Sequence, residues 1–171
     1  PILKGLVRTT EESASFFVRQ KEHRVCLFRE NSVHGLRDHV LEGDLAPINQ
    51  GASSHVLTRF AGVRCDEISA KLRASLPFFS FEETHKGTSG GAVPVFGRQG
   101  EFVGALTISG PLSRLTRSRL VQLTPLLLAA GRELSSALGA PAFAPSLGVD
   151  AGHDKKNVNR RQKGFQTDEF L

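Results

Sequence analysis

The apolar positions of this chain gather into short runs rich in Val, Ile and Phe, separated by polar connections, and give way to a long leucine stripe. The clearest pair of runs is 90–96 and 101–111, joined by Gly97-Arg98-Gln99-Gly100, a polar link of hairpin length. Gly110-Pro111 stops the second run, because proline supplies no N–H to a ladder. Residues 13–19 and 24–29, around the polar Gln20-Lys21-Glu22-His23, predict a second antiparallel hairpin. Short strands are expected over 36–40 and 78–81. Val56, Leu57 and Phe60 follow Gly51-Ala52-Ser53-Ser54 at helical spacing, which predicts a helix over about 54–60 with its cap among those small residues. A further helix over 67–74 would place Ile68 and Leu72 on one face and end before Pro77. The leucine stripe, from Leu115 through Leu120, Leu123 and Leu127 to Leu134 and Leu138, predicts a long helix. Pro125 should kink it and Gly139 should end it.

This order of motifs resembles the effector-binding domain of the IclR family of bacterial transcription regulators. The resemblance is carried by Pro94-Val95-Phe96, the glycine turn, the strand closing on Ser109-Gly110-Pro111, Arg114-Leu115 and the leucine-rich helix. Pro1-Ile2-Leu3 with Leu6-Val7 sits where that family's linker helix enters the domain. Arg24-Val25-Cys26-Leu27 is similar to an early strand, and Gly51-Ala52-Ser53 to the small-residue turn before a covering helix. Together the matches extend over roughly residues 1 to 140.

What the resemblance implies is an α+β, GAF-like (profilin-like) fold. It would have a curved antiparallel sheet of about five or six strands with helices on its faces. It also implies a function: an effector-binding and oligomerisation domain that senses a small organic or aromatic acid, assembles as homodimers or tetramers, and controls DNA binding. DNA would be contacted only through an N-terminal winged helix-turn-helix domain absent from this chain.

Composition narrows the alternatives. A chain of 171 residues suits one domain, and a domain near that size buries about 70% of its unfolded surface. The absence of Met, an initiator included, suggests an excerpt of a longer protein, with residues missing internally as a further option. Beyond Ala140 the residues turn polar and basic, so 141–171 is expected to be a flexible tail. Two cysteines, Cys26 and Cys65, lack the dense spacing of a disulfide scaffold, and a reduced, cytoplasmic setting is expected. No run approaches a membrane span, and no membrane association is expected. The net charge of +5, from 22 Lys plus Arg against 17 Asp plus Glu, reads as solvated surface rather than a nucleic-acid face.

Three kinds of chemistry deserve weighing. A Cys–His enzyme would need Cys26 or Cys65 beside His23, His34, His39 or His55, but no nucleophile signature is present, and Cys26 lies in an apolar run where a cysteine behaves as a small hydrophobe. A metal would need more than His34, Asp38 and His39, of which only two share a strand face. No catalytic residue, metal or cofactor is expected. Arg37 beside Asp38 reads either as a surface pair or as a carboxylate donor held in place.

The third candidate is a pocket. Thr107 and Ser109 lie two apart on one strand face and offer hydroxyls, while Ser53 and Ser54 bring the N–H groups of a helix start, with Gly51 and Ala52 keeping the approach open. The resemblance carries over the Gly51-Ala52-Ser53 turn, Pro94, Thr107 and Ser109 as ligand positions. Pro94 stands where family members place a more polar residue, so the ligand class does not transfer. A domain that only oligomerises, its cavity filled by Phe side chains, is the remaining alternative.

Overall fold

A computed structural model describes residues 1–142. Residues 143–171 of the expected 141–171 tail lie outside the described residues. Ile2, Leu3, Leu6 and Val7 form one apolar stripe, and they open the chain as helix α1 (Ile2–Thr10). Strands β1 (Ser13–Gln20) and β2 (His23–Glu30) follow as the first hairpin. After a long loop come β3 (Leu45–Pro47), α2 (Ala52–Arg59) and the short α3 (Ala70–Ala74). Strands β4 (Phe78–Phe81), β5 (Thr88–Phe96) and β6 (Phe102–Pro111) precede the terminal helix α4 (Arg117–Ala137).

The six strands form one curved antiparallel sheet in the order β3-β2-β1-β6-β5-β4. This is the expected α+β, GAF-like arrangement. Its centre is β6, whose alternating side chains divide the core between two faces. On one face lie α1 and α4. Gly91 leaves so little room there that an added Cβ would stand 3.1 Å from Leu120 and 3.3 Å from Leu127 of α4, and Gly131 of α4 meets Val93 as tightly. Ser135 of α4 seals the contact by accepting from the Phe96 N–H at 3.0 Å. On the other face α2 covers β5, β6, β4 and β1, with Phe60, Phe96 and Phe102 in tilted and edge-on contacts.

Three expected elements differ. Residues 36–40 form no strand: the Arg29 guanidinium holds Asp38 by its carboxylate at 2.9 Å and by its carbonyl at 3.1 Å, and this side-chain clamp replaces a ladder. The chain then turns at Leu41–Asp44 and meets β2 through Gly43 and Asp44, so β3 falls at Leu45–Pro47. The helix expected over 67–74 begins only at Ala70, because the Ser69 hydroxyl accepts from the Leu72 N–H at 3.2 Å and caps it there, leaving Ile68 buried ahead of the helix. Finally, α4 starts after Leu115, capped by Thr116, and continues as one α-helix through Pro125. Pro125 lies on the exposed side, where water can take the carbonyl that loses its N–H partner. The helix stops at Leu138, with Gly139 following at φ +82°.

A half-buried ion pair ties the layers together. Glu12, just after α1, accepts from Arg114 Nε and Nη2 at 2.8 and 2.9 Å, and the same Nη2 donates to the Leu36 carbonyl at 3.0 Å.

Candidate functional site

Between α2, the open face of the sheet, the 36–40 segment and the β4–β5 loop lies a cavity of about 60 Å³. Its floor is β6. Register pairs Thr107 with Ala92 and Ser109 with Gly90, so both hydroxyls rise from the floor on one face, as the two-residue spacing requires. Gly51, Ala52 and Ser53 form part of the roof. Ser54 lies just behind, and Pro94, paired with Ala105 further along β5, lies outside the cavity lining.

The side chain that dominates this space is Arg24. It sits on β2 with the inward alternation shared by Cys26, and it is 7% exposed. Its Nη1 donates to Ser53 Oγ at 2.7 Å and reaches Ser54 Oγ at 3.4 Å, and its guanidinium lies 5.3 Å from the Phe17 ring centre. Among the described residues no carboxylate pairs with it, and its Nε has no hydrogen-bond partner. Burial therefore pushes its pKa below the ordinary arginine value, with the nearby Cys26 opposing the shift. The Thr107 hydroxyl, 5% exposed, is likewise without a partner. Buried polar atoms are almost always satisfied, so two orphans facing one hollow set this place apart from the rest of the described core.

Arg24 also explains the helix start. Gly51 adopts φ +95° and ψ 156°, a region essentially confined to glycine, and an added Cβ would stand 2.7 Å from Arg24 Nη1 and 2.9 Å from Thr84 Oγ1. No side-chain cap bond forms at α2: the Ser53 and Ser54 hydroxyls, expected among the cap residues, turn instead to the guanidinium. The Gly51 N–H donates to Glu83 Oε2 at 2.8 Å, and Glu83 also pairs with His55 at 2.8 Å. Burial alone would raise the Glu83 carboxyl, but the Gly51 N–H and the His55 ring together hold it below the ordinary range.

At the far end of the floor, Ser109 Oγ donates to Asp38 Oδ2 at 2.7 Å. The partner of Asp38 is Arg29, with side chains 3% and 10% exposed respectively, and not the adjacent Arg37, which donates to the His34 carbonyl. Of the metal candidates, His34 pairs with Glu11 while Asp38 is held by Arg29 and Ser109. Among the described residues no three His, Cys, Asp or Glu side chains gather as a metal site. Cys26 is buried and its thiol is pushed up by that burial, the direction that disfavours the thiolate a nucleophile requires. No helix among the described residues is long and apolar enough to cross a membrane.

Of the seven ligand positions expected from the sequence, Gly51, Ala52, Ser53, Thr107 and Ser109 line one hollow, while Ser54 and Pro94 do not. Arg24 and Glu83 were missed. Period-two alternation from the buried Cys26 could have turned Arg24 inward; nothing local marks Glu83, which arrives through a loop.

Residues 66–136 match the family model described as the bacterial transcriptional regulator IclR C-terminal domain. Solved structures agree. An IclR-family transcriptional regulator of Rhodococcus sp. superposes with a TM-score of 0.68 at 25% identity, over 80% of this chain and 60% of that one. The IclR protein of Thermotoga maritima gives 0.66 at 18% identity, over 81% and 66%, and the C-terminal domain of the E. coli transcriptional regulator KdgR gives 0.62 at 22%, over 81% and 94%. No curated protein sequence matches the chain. Residues 66–136 thus resemble the C-terminal domain of IclR-type transcriptional regulators, and the fold of the described residues is the one those solved structures share. The chain spans about 60% of the length of the Rhodococcus regulator it resembles.

Proposed function

We propose that this domain is the sensing part of an IclR-type transcriptional regulator. It holds a small organic acid in the cavity over β6, and occupancy controls DNA binding by an N-terminal winged helix-turn-helix domain. Self-association as a dimer or tetramer through this domain belongs to the same proposal. One observation carries the reading: a buried guanidinium without a carboxylate partner and a buried hydroxyl without any partner face the same space. An acid supplies what both lack, since a carboxylate is an acceptor for charge-assisted bonds from arginine and for a threonine O–H.

Size supports a short acid over an aromatic one. A benzene ring has been accommodated in a cavity of about 150 Å³, and the space here is about 60 Å³.

Thermal melting of the chain against a panel of short carboxylic acids tests this. At a hundredfold excess over its dissociation constant, a ligand of the native state adds about 2.7 kcal/mol of stability, and Arg24→Met should remove the shift. Absence of a shift with every acid, or an equal shift in the Met variant, would refute the proposal and favour a domain that only oligomerises.

A further inference from the structure

The geometry points to a narrower ligand class: a short carboxylic acid that also carries a hydroxyl or ammonium donor. This inference rests on the sensing function proposed above. The cavity has two ends of opposite character. At one, Arg24, the orphan Thr107 hydroxyl and Ser53 present donors for a carboxylate. At the other, Asp38 presents an acceptor, steadied by Ser109 at 2.7 Å and by Arg29 at 2.9 Å. Thr107 and Ser109 mark the two ends on the floor, about 7 Å apart for two residues of extended strand.

A carboxylate offers roughly four lone-pair positions. Bonds from Ser109 and Arg29 leave Asp38 with acceptor capacity, and Asp38 lines the cavity. Glu83, at the rim, is a second acceptor with its oxygens turned to Gly51 and His55. An oxo group placed against Asp38 would set lone pair against lone pair. A methyl group there would leave the remaining acceptor capacity of Asp38 unused. A hydroxyl or an ammonium donates, and so completes the site. A volume of about 60 Å³ limits the rest of the molecule to a few carbons.

The test is calorimetric titration of the whole chain with four acids of matched size: L-lactate, L-alanine, pyruvate and propionate. Lactate or alanine should bind about tenfold or more tightly than pyruvate and propionate, the ratio expected for a hydrogen bond to a charged acceptor. A preference for alanine over lactate assigns the donor as ammonium, and the reverse as hydroxyl. Asp38→Asn should narrow that ratio. Because Asp38 also holds Arg29, Ser109→Ala serves as a second variant that keeps the ion pair; it should weaken lactate or alanine and leave propionate unchanged. Pyruvate or propionate binding as well as the donor-bearing acids overturns this inference and leaves the sensing function standing. Binding by none of the four overturns this inference, and the sensing function falls with it when the wider panel of acids also gives no shift in melting.

Discussion

The two faces of the sheet are built on opposite principles. Under α4 the contact is chiefly hydrocarbon against hydrocarbon: Leu120 and Leu127 press on Gly91, Val93 presses on Gly131, and the buried serines there, Ser89 and Ser135, are both hydrogen-bonded. Under α2 the same sheet carries an arginine without a counter-ion and a threonine without a partner, both buried. The first face holds the domain together. The second gives up stability for readiness, since a polar group kept out of water and unbonded costs about 1–3 kcal/mol on mutational scales. Among the described residues the other face has no buried side-chain polar atom without a partner.

Mutations that treat the faces alike should therefore have opposite outcomes. Leu127→Ala, on the dry face, should lower stability by about 2–5 kcal/mol through lost burial and a residual cavity, read by chemical denaturation, with acid binding in the surviving fold unchanged. Gly51→Ala should cost about 1–3 kcal/mol, because the side chain meets both a forbidden backbone region and the Arg24 guanidinium, and it should weaken acid binding as Arg24 is displaced. Arg24→Met should do what the dry face never does: leave stability without ligand unchanged or raise it by about 1–2 kcal/mol while abolishing the acid-induced shift in melting. Thr107→Val should behave likewise on a smaller scale, with a gain of about 1 kcal/mol or less and a weaker ligand. A loss of stability in both Arg24→Met and Thr107→Val would end the contrast between the faces.

The smallest effect is set by pH. The folded-state carboxyl of Glu83 is held below its ordinary value, so its contribution is present above the ordinary carboxylate range and disappears as pH falls through the lowered value. Glu83→Gln should remove that part of the acid-side slope in melting temperature and leave the neutral-pH profile flat.

The fold was largely legible because its hairpins are written in local runs. Val, Ile and Phe flank the 97–100 turn, and Gly110-Pro111 closes the strand that pairs with β5. Half of the site was legible for the same reason: Thr107 and Ser109 share a face by simple alternation. The 36–40 segment misled because its fate is decided by Arg29, a residue on β2 that reaches across the loop to Asp38. Arg24 stayed hidden because an arginine in a strand is ordinarily a solvated one, and only the arrival of Ser53, Phe17 and Gly51 from elsewhere in the chain seals it in. Local pattern reveals elements; charges that are buried by tertiary assembly announce themselves only when the assembly is seen.

The Arg114 side chain ties one wall of the hollow, the 36–40 segment, to the start of the sheet. One guanidinium grips Glu12, where the first helix hands over to the sheet, and Leu36, two residues before Asp38. Any shift of the 36–40 segment therefore strains that strap or moves the helix junction with it, which couples one wall of the hollow to the first helix.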